Sequence, residues 1–596
     1  MQKYNNRKDV PDKYKWNLAD FYKSEADFNK AIKKCQKSIV ELAKYKGCTK
    51  HPKQLYEFLE KQTECIALWQ NLYVYSYLIN DQELGQKESI ERKNTTEQLN
   101  LELENHINFF APELLNLSDK EYESLFIKEE KLNEYRRYLD RIYREKAHIL
   151  TESEEIIISK LTNSMNHFND LSSLLTNQLH DYGTVTINKE KIAIAPNNYN
   201  HLMKNKSDKI RKEVRDKFNK VLSSYAPSNA LCLSSYISMN DTIAQIRHFS
   251  SSWEAKLFST NLTEDIFKTL VNTVENNLKS LQKYYDLKKK TLNLKKLTSY
   301  DLTLELAPYD KEYTIEEGQE LVLNAIKPLG ETYYKKFKKI IDCHYIDYCQ
   351  YKGKRNGGYS FSTIDKPSRI LMNYNGDLSS VSTIAHEGGH NVHHQFITEN
   401  NLRQYRNQSS IVCEVASLTN ECLLSSYLAE HGKTKEEKMA GIANILNVIV
   451  SNLFGAVREG KMEEEMYQHV HEGLPLTKEY LDDLSYNSLS KYYGKSVEYD
   501  QKIKNSWITR NHYYMHFYLY SYAISISVAC SVAKKILAND SEMLNKYLQF
   551  LKVGSDKWPT EIYEILGIDL KEKNVYQDAI EYFDSMINKF IEISEE

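Results

Sequence analysis

The stretch His386-Glu387-Gly388-Gly389-His390 sets two imidazoles four residues apart with a carboxylate beside the first. On a helix, residues i and i+4 project from one face a turn apart, so both rings reach a single cation while Glu387 faces the reacting water. The segment reads as the helix-borne centre of a zinc-dependent peptide hydrolase, and the rest of the chain is read outward from it.

A catalytic zinc takes three protein ligands and keeps a further position open, so His386 and His390 need a partner from elsewhere. Glu414 fits that place. It lies 24 residues after His390 in Ile411-Val412-Cys413-Glu414-Val415-Ala416-Ser417, a segment patterned to form a helix antiparallel to the first. Two neutral imidazoles and one carboxylate leave the cation net positive, which acidifies water and polarises a peptide carbonyl. Glu387 then serves as general base. His393 falls near the face of His386 and His390, and His394 nearer Glu387. Each is read as a packing or orienting group, with direct metal contact as the rival reading. Glu421, seven residues beyond Glu414, either orients a ligand imidazole or is a solvated carboxylate.

Upstream, Gly357-Gly358-Tyr359-Ser360-Phe361 and Arg369-Ile370-Leu371-Met372-Asn373-Tyr374 have a β-like pattern. An open strand edge beside the metal suits an extended peptide. A purely structural sheet is the alternative. Downstream, His512-Tyr513-Tyr514-Met515-His516-Phe517-Tyr518-Leu519-Tyr520-Ser521-Tyr522 concentrates hydroxyls and imidazoles in an uncharged stretch that reads as one helix. Such groups stabilise an oxyanion, or fill a core.

The 596 residues contain only 19 Gly and 10 Pro, which favours long helices and a mainly α protein. Ser24-Glu25-Ala26-Asp27 offers a helix start, followed by Phe28, Ala31, Ile32, Cys35, Ile39 and Leu42 at helical spacing up to Gly47. Similar patterns continue to about residue 180. From Tyr182 to Ile194 the period changes to two around a short polar turn, which predicts a hairpin. It marks the expected boundary between an N-terminal helical lobe, residues 1–195, and a catalytic domain, residues 196–596.

Lys and Arg number 79 against 82 Asp and Glu, a formal charge of −3, which argues against nucleic acid as a partner. Nine scattered cysteines without a CxxC pair suggest reduced thiols and a cytoplasmic location. No secretory signal is visible at the amino terminus. The uncharged runs Met439 to Val457 and His512 to Ala533 contain enough Asn, Ser, His and Tyr to read as buried helices, not membrane spans.

Taken together, these motifs resemble the oligoendopeptidase F family of zinc metallopeptidases, relatives of thimet oligopeptidase and neurolysin. The resemblance runs nearly end to end, from Tyr14-Lys15-Trp16-Asn17-Leu18 through Tyr300-Asp301-Leu302 and Gly357-Gly358-Tyr359-Ser360. Its most specific parts are Ala385 to His393, Glu414-Val415-Ala416-Ser417 with Asn420-Glu421, and Trp507 with His512 and Phe517 to Ala523. It implies a zincin-like helical enclosure of two lobes around a deep channel that admits oligopeptides. It further implies one Zn2+ per chain on His386, His390 and Glu414, Glu387 as base, and His512 and Tyr520 in substrate and transition-state binding, with Tyr513 or Tyr514 as a further donor. Leu519 and Ser521 depart from the family's usual tyrosine helix, which leaves the second tyrosine donor open. The expected activity is endopeptidase cleavage of short peptides. A dipeptidyl carboxypeptidase-type exopeptidase and a non-catalytic metal-containing peptide-binding protein are the alternatives, and the oligomeric state is not legible.

Overall fold

Ser24 caps the first long helix, accepting the Asp27 amide at 3.2 Å, and Phe28, Cys35, Ile39 and Leu42 line the buried face of Glu25–Leu42. The chain then turns at Gly47, whose φ of 88° is left-handed. Helices Pro52–Gln82 and Lys87–Ile107 join the first around a core that includes Leu55, Phe58, Leu72, Leu99 and Leu103. The expected N-terminal helices are therefore present. The structure, a computed structural model, describes residues 4–151, 154–155, 157–158, 167–177 and 180–596; helices continue over Phe110–Leu115, Asp119–Lys128, Arg136–Tyr143 and His167–Asn177, and only the part of the expected pattern that falls on 152–153, 156, 159–166 and 178–179 lies outside the described residues.

The chain packs as two compact units, each assembled from three stretches: Met1–Ala147, Asp310–Tyr427 and Val532–Gly567 form one, and His148–Tyr309, Leu428–Ser531 and Ile568–Glu596 the other. The first unit contains a three-stranded sheet in the order β3-β5-β4, with β3 at Ile346–Cys349, β4 at Tyr359–Phe361 and β5 at Arg369–Tyr374. β3 runs parallel to β5 and β4 antiparallel, so β4 is an edge strand. Two buried cations brace this sheet. Lys354 Nζ donates to Asp347 Oδ1 at 2.6 Å and to the Met372 carbonyl at 2.7 Å, which ties the end of β3 to β5. The fully buried Arg369 guanidinium donates to both Asp20 oxygens at 2.6 Å. Each charge keeps a partner, as burial demands.

In the second unit the predicted hairpin is present as β1 at Thr184–Ile187 and β2 at Glu190–Ala193, and it lies inside this unit. Asn188 and Lys189 both have positive φ, the geometry of a type I′ turn. Arg211 and Asp301, each 2% exposed in its side chain, pair at 2.6 Å and anchor the helix Asp208–Ile246 to the Tyr300-Asp301-Leu302 segment. Lys435–His471 forms one helical run through a π-helical turn at Val450–Gly455. It is long and apolar enough to cross a membrane by length and composition, yet 61% of its apolar window is buried inside the protein. The run from His512 is not one helix as expected. A 3-10 turn covers Asn511–Tyr514, and the α-helix starts only at Leu519, because His516 and Phe517 adopt left-handed φ values of 45° and 56°. None of the nine cysteines, all among the described residues, forms a disulfide, and seven of them are buried.

Candidate metal centre

Asp377 starts the helix that carries the pentapeptide, accepting the Ser380 amide at 2.8 Å. Leu378–Asn400 then buries Val381, Ile384, Ala385, Val392 and Phe396, which leaves His386 and His390 on the opposite side, 26% and 20% exposed. Their ring centroids are 4.9 Å apart. The second helix, Ser410–His431, carries Glu414 to them: its Oε2 lies 3.5 Å from both His386 Nε2 and His390 Nε2. Among the described residues, these three form the one group of His, Cys, Asp or Glu side chains whose ligand atoms all lie within 4.8 Å of one another. His393 and His394 do not join it.

Hydrogen bonds hold these three side chains in place. His386 Nδ1 donates to Glu421 Oε1 at 2.7 Å, which turns the Nε2 lone pair toward the metal position. Ser382 Oγ donates to the other Glu421 oxygen at 2.9 Å, and Ser417 Oγ shares its proton between the Glu414 backbone carbonyl at 2.9 Å and Glu414 Oε2 at 3.2 Å. Glu421 is thus an orienting carboxylate, 8% exposed, not a solvated one. Asn420 Nδ2 donates to the Ala385 carbonyl at 3.0 Å and Asn420 Oδ1 accepts from Tyr333 at 2.9 Å, tying the two helices together. Sequence reasoning missed Ser382, Ser417 and Tyr333, since hydroxyls at these positions look like ordinary core polar groups until their partners are seen.

The electrostatics favour a cation. Burial alone would lower the His386 pKa, but the Glu421 hydrogen bond and the charges of Glu421, Glu387 and Glu414 raise it to about 9. Burial likewise opposes ionisation of Glu414, yet His390 and His386 pull its pKa down to about 2. Three carboxylates around two imidazoles make a site that binds protons too well and offers a dication the same field. Glu387 stays outside the ligand group. Its pKa is raised, chiefly by burial and further by Glu414 and Glu421 against the two histidines, the direction a general base needs. A Cβ on Gly358 would lie 3.8 Å from Glu387 Oε1, which places this carboxylate at the start of β4.

The remaining expected site residues belong to the second unit. His512 is half-buried, and its pKa is lowered by burial and Arg510. Tyr513 and Tyr520 are each 2% exposed, Tyr520 packing edge-on against Trp253 and Phe267. The His512 ring lies 6.1 Å from that of Tyr522, which in turn lies 5.2 Å from that of Tyr518. The four-residue spacing of Tyr518 and Tyr522 was the available signal for this pair.

Two helices that bring two histidines and a glutamate together as a group able to hold a metal ion define a class of metallopeptidase, and comparison with known proteins places the chain within it. A profile of Peptidase family M3 matches residues 201–582, and one of Oligopeptidase F matches residues 113–179. Oligopeptidase PepF of Bacillus subtilis is 27% identical over 99% of this chain and 88% of its own length. The plasmid oligoendopeptidase F of Lactococcus lactis subsp. cremoris is 26% identical over 99% of both chains. Among solved structures, oligoendopeptidase-F of Enterococcus faecium superposes with a TM-score of 0.72 at 26% identity, covering 96% of this chain and 100% of its own. A Chlamydophila abortus structure described as a peptidase gives a TM-score of 0.88 at 26% identity, covering 99% and 100%. The chain belongs to peptidase family M3, and it is an oligopeptide-cleaving metallopeptidase of the oligoendopeptidase F type.

Proposed function

We propose that the protein is a zinc endopeptidase that hydrolyses short peptides, with Glu387 as general base. The observation that carries this reading is the convergence of His386, His390 and Glu414 beside Glu387. The donor set of two imidazoles and one carboxylate fits one Zn2+ per chain, which when bound supplies carbonyl polarisation and acidifies water. Glu421 and Ser417 fix the ligands. Glu387, kept poorly solvated, removes a proton from the attacking water and passes it to the leaving amine. His512 serves as a neutral hydrogen-bonding imidazole for the substrate, and Tyr520 and Tyr513 contribute to substrate and transition-state binding. The free cysteines fit a reducing, cytoplasmic compartment.

The test is Glu387→Gln assayed on a peptide blocked at both ends. Bound zinc should stay at one equivalent while kcat falls by about a thousandfold. Near-normal turnover by this variant would remove Glu387 from the mechanism, and failure of the native enzyme to cut a doubly blocked peptide would overturn endopeptidase action.

A further inference from the structure

We propose that a cavity beyond His390 is the subsite for the substrate residue preceding the scissile bond, and that it selects a neutral hydrogen-bonding side chain, a carboxamide above all. This inference rests on the peptidase reading above. The cavity, of about 230 Å3, lies wholly in the first unit and is lined by His390, Ser360, Ser362, His393, His394 and Cys413 among others. His390 is shared with the metal group, so a ligand here sits next to the reacting bond.

Strand alternation explains why two serines face it. Tyr359 and Phe361 of β4 turn the other way: the Tyr359 hydroxyl donates to Asp81 Oδ2 at 2.9 Å, and the Phe361 ring packs edge-on against Tyr73 and Tyr77. Ser360 and Ser362 therefore point to the opposite face. Among the described residues, no Asp, Glu, Lys or Arg lines the cavity. Charged substrate side chains would enter without a counter-ion.

Two buried atoms mark the kind of ligand. His393 is 2% exposed, and its Nε2 has no hydrogen-bond partner among the described residues; neither has Ser360 Oγ. Such a group is costly to leave unpaired in the interior. A purely apolar side chain leaves both unpaired, whereas a carboxamide, with donor and acceptor on one planar group, pairs with an imidazole and a hydroxyl.

The strand direction fixes which substrate residue enters. β4 is an edge, and a peptide adding to it antiparallel runs with its amino-terminal half toward the Ser360 to Ser362 end. Glu387 marks the position of the reacting bond at the Gly358 end. The cavity thus receives a residue on the amino side of the cut.

A series of end-blocked, internally quenched peptides, identical except for Gln, Asn, Leu, Glu or Lys before the cleaved bond, tests this with the zinc-loaded full chain. We expect kcat/KM for Gln to exceed that for Leu, Glu and Lys by at least about tenfold. Ser362→Phe, which fills the cavity, and Ser360→Ala, which removes one of the two unpaired groups, should each collapse the Gln to Leu ratio toward one; the second variant covers misfolding of the first. Cleavage without preference, a ratio unmoved in both variants, or selection confined to the carboxyl side of the cut would each overturn the subsite alone. Absence of cleavage of every peptide would overturn the peptidase reading and the subsite with it.

Discussion

Glu421 sits one hydrogen bond behind the metal centre, and its two oxygens have different partners: one takes the His386 Nδ1 proton and the other the Ser382 hydroxyl. Because the imidazole donates backwards, its other nitrogen keeps a lone pair that would be free to hold a cation. Glu421→Ala should lower zinc affinity about 10- to 100-fold while leaving all three ligands in the chain. Titration against a competing chelator reads this directly, and an unchanged affinity would show that packing alone orients His386. Tyr520 poses a different question at the same scale. Its ring is held by Trp253 and Phe267, and its hydroxyl lies in the interior of the second unit. If the hydroxyl donates in the transition state, Tyr520→Phe lowers kcat about a hundredfold with KM held. An unaltered kcat would return Tyr520 to the aromatic core.

The pairing of the histidine and glutamate helices depends on the two glycines inside the pentapeptide. A Cβ on Gly389 would meet Ser417 Cα at 2.7 Å and the Ala416 carbonyl at 2.9 Å, and one on Gly388 would collide with the Phe337 ring. Backbone atoms cannot step aside as a flexible side chain can, so Gly389 sets how near Glu414 comes to His390. Alanine has the better helix propensity by about 1 kcal/mol, yet overpacking of this kind costs about 1–3 kcal/mol and should win. Gly389→Ala is therefore expected to lower the melting temperature of the metal-free protein and also weaken zinc binding, as the glutamate helix is pushed outward. Calorimetry with metal titration checks both. A variant with native melting and native affinity would mean that Asn420 and Tyr333, not glycine, fix the spacing. From sequence alone, the two glycines look like weak points in a helix; only the neighbouring backbone reveals their purpose.

Across the whole molecule, what could be read in advance was whatever depends on neighbours in sequence. The Ser24 cap, the hairpin turn at Asn188-Lys189 and the spacing of His386 and His390 are local matters of periodicity and turn chemistry. Glu414 was reachable because it lies on the next helix. The weaving of each compact unit from three stretches was not, since a linear pattern does not say which helices share a core. Nor was the face presented by the tyrosine run, because counting 100° per residue from His512 fails where His516 and Phe517 leave the helical region. That strained pair is held by Glu463, fully buried, whose Oε1 accepts the Phe517 amide at 2.6 Å while the His516 Nε2 meets Ser252 Oγ at 2.8 Å. Burial raises the Glu463 pKa to about 8 against the pull of the Phe517 amide and Lys256, with Glu459 adding to the rise. Above an unfolded pKa near 4.3 the unfolded chain has released this proton, but the native protein keeps it until about pH 8. The native state then binds more protons than the unfolded one, so this group makes stability fall as pH rises through that window. Glu463→Gln keeps an acceptor for Phe517 and removes the titration. Its melting temperature relative to the native protein should therefore climb by a few degrees between pH 5 and pH 8, corresponding to a few kcal/mol. Thermal unfolding of both proteins across that range decides the matter, and parallel curves would show that Glu463 is already ionised in the folded state.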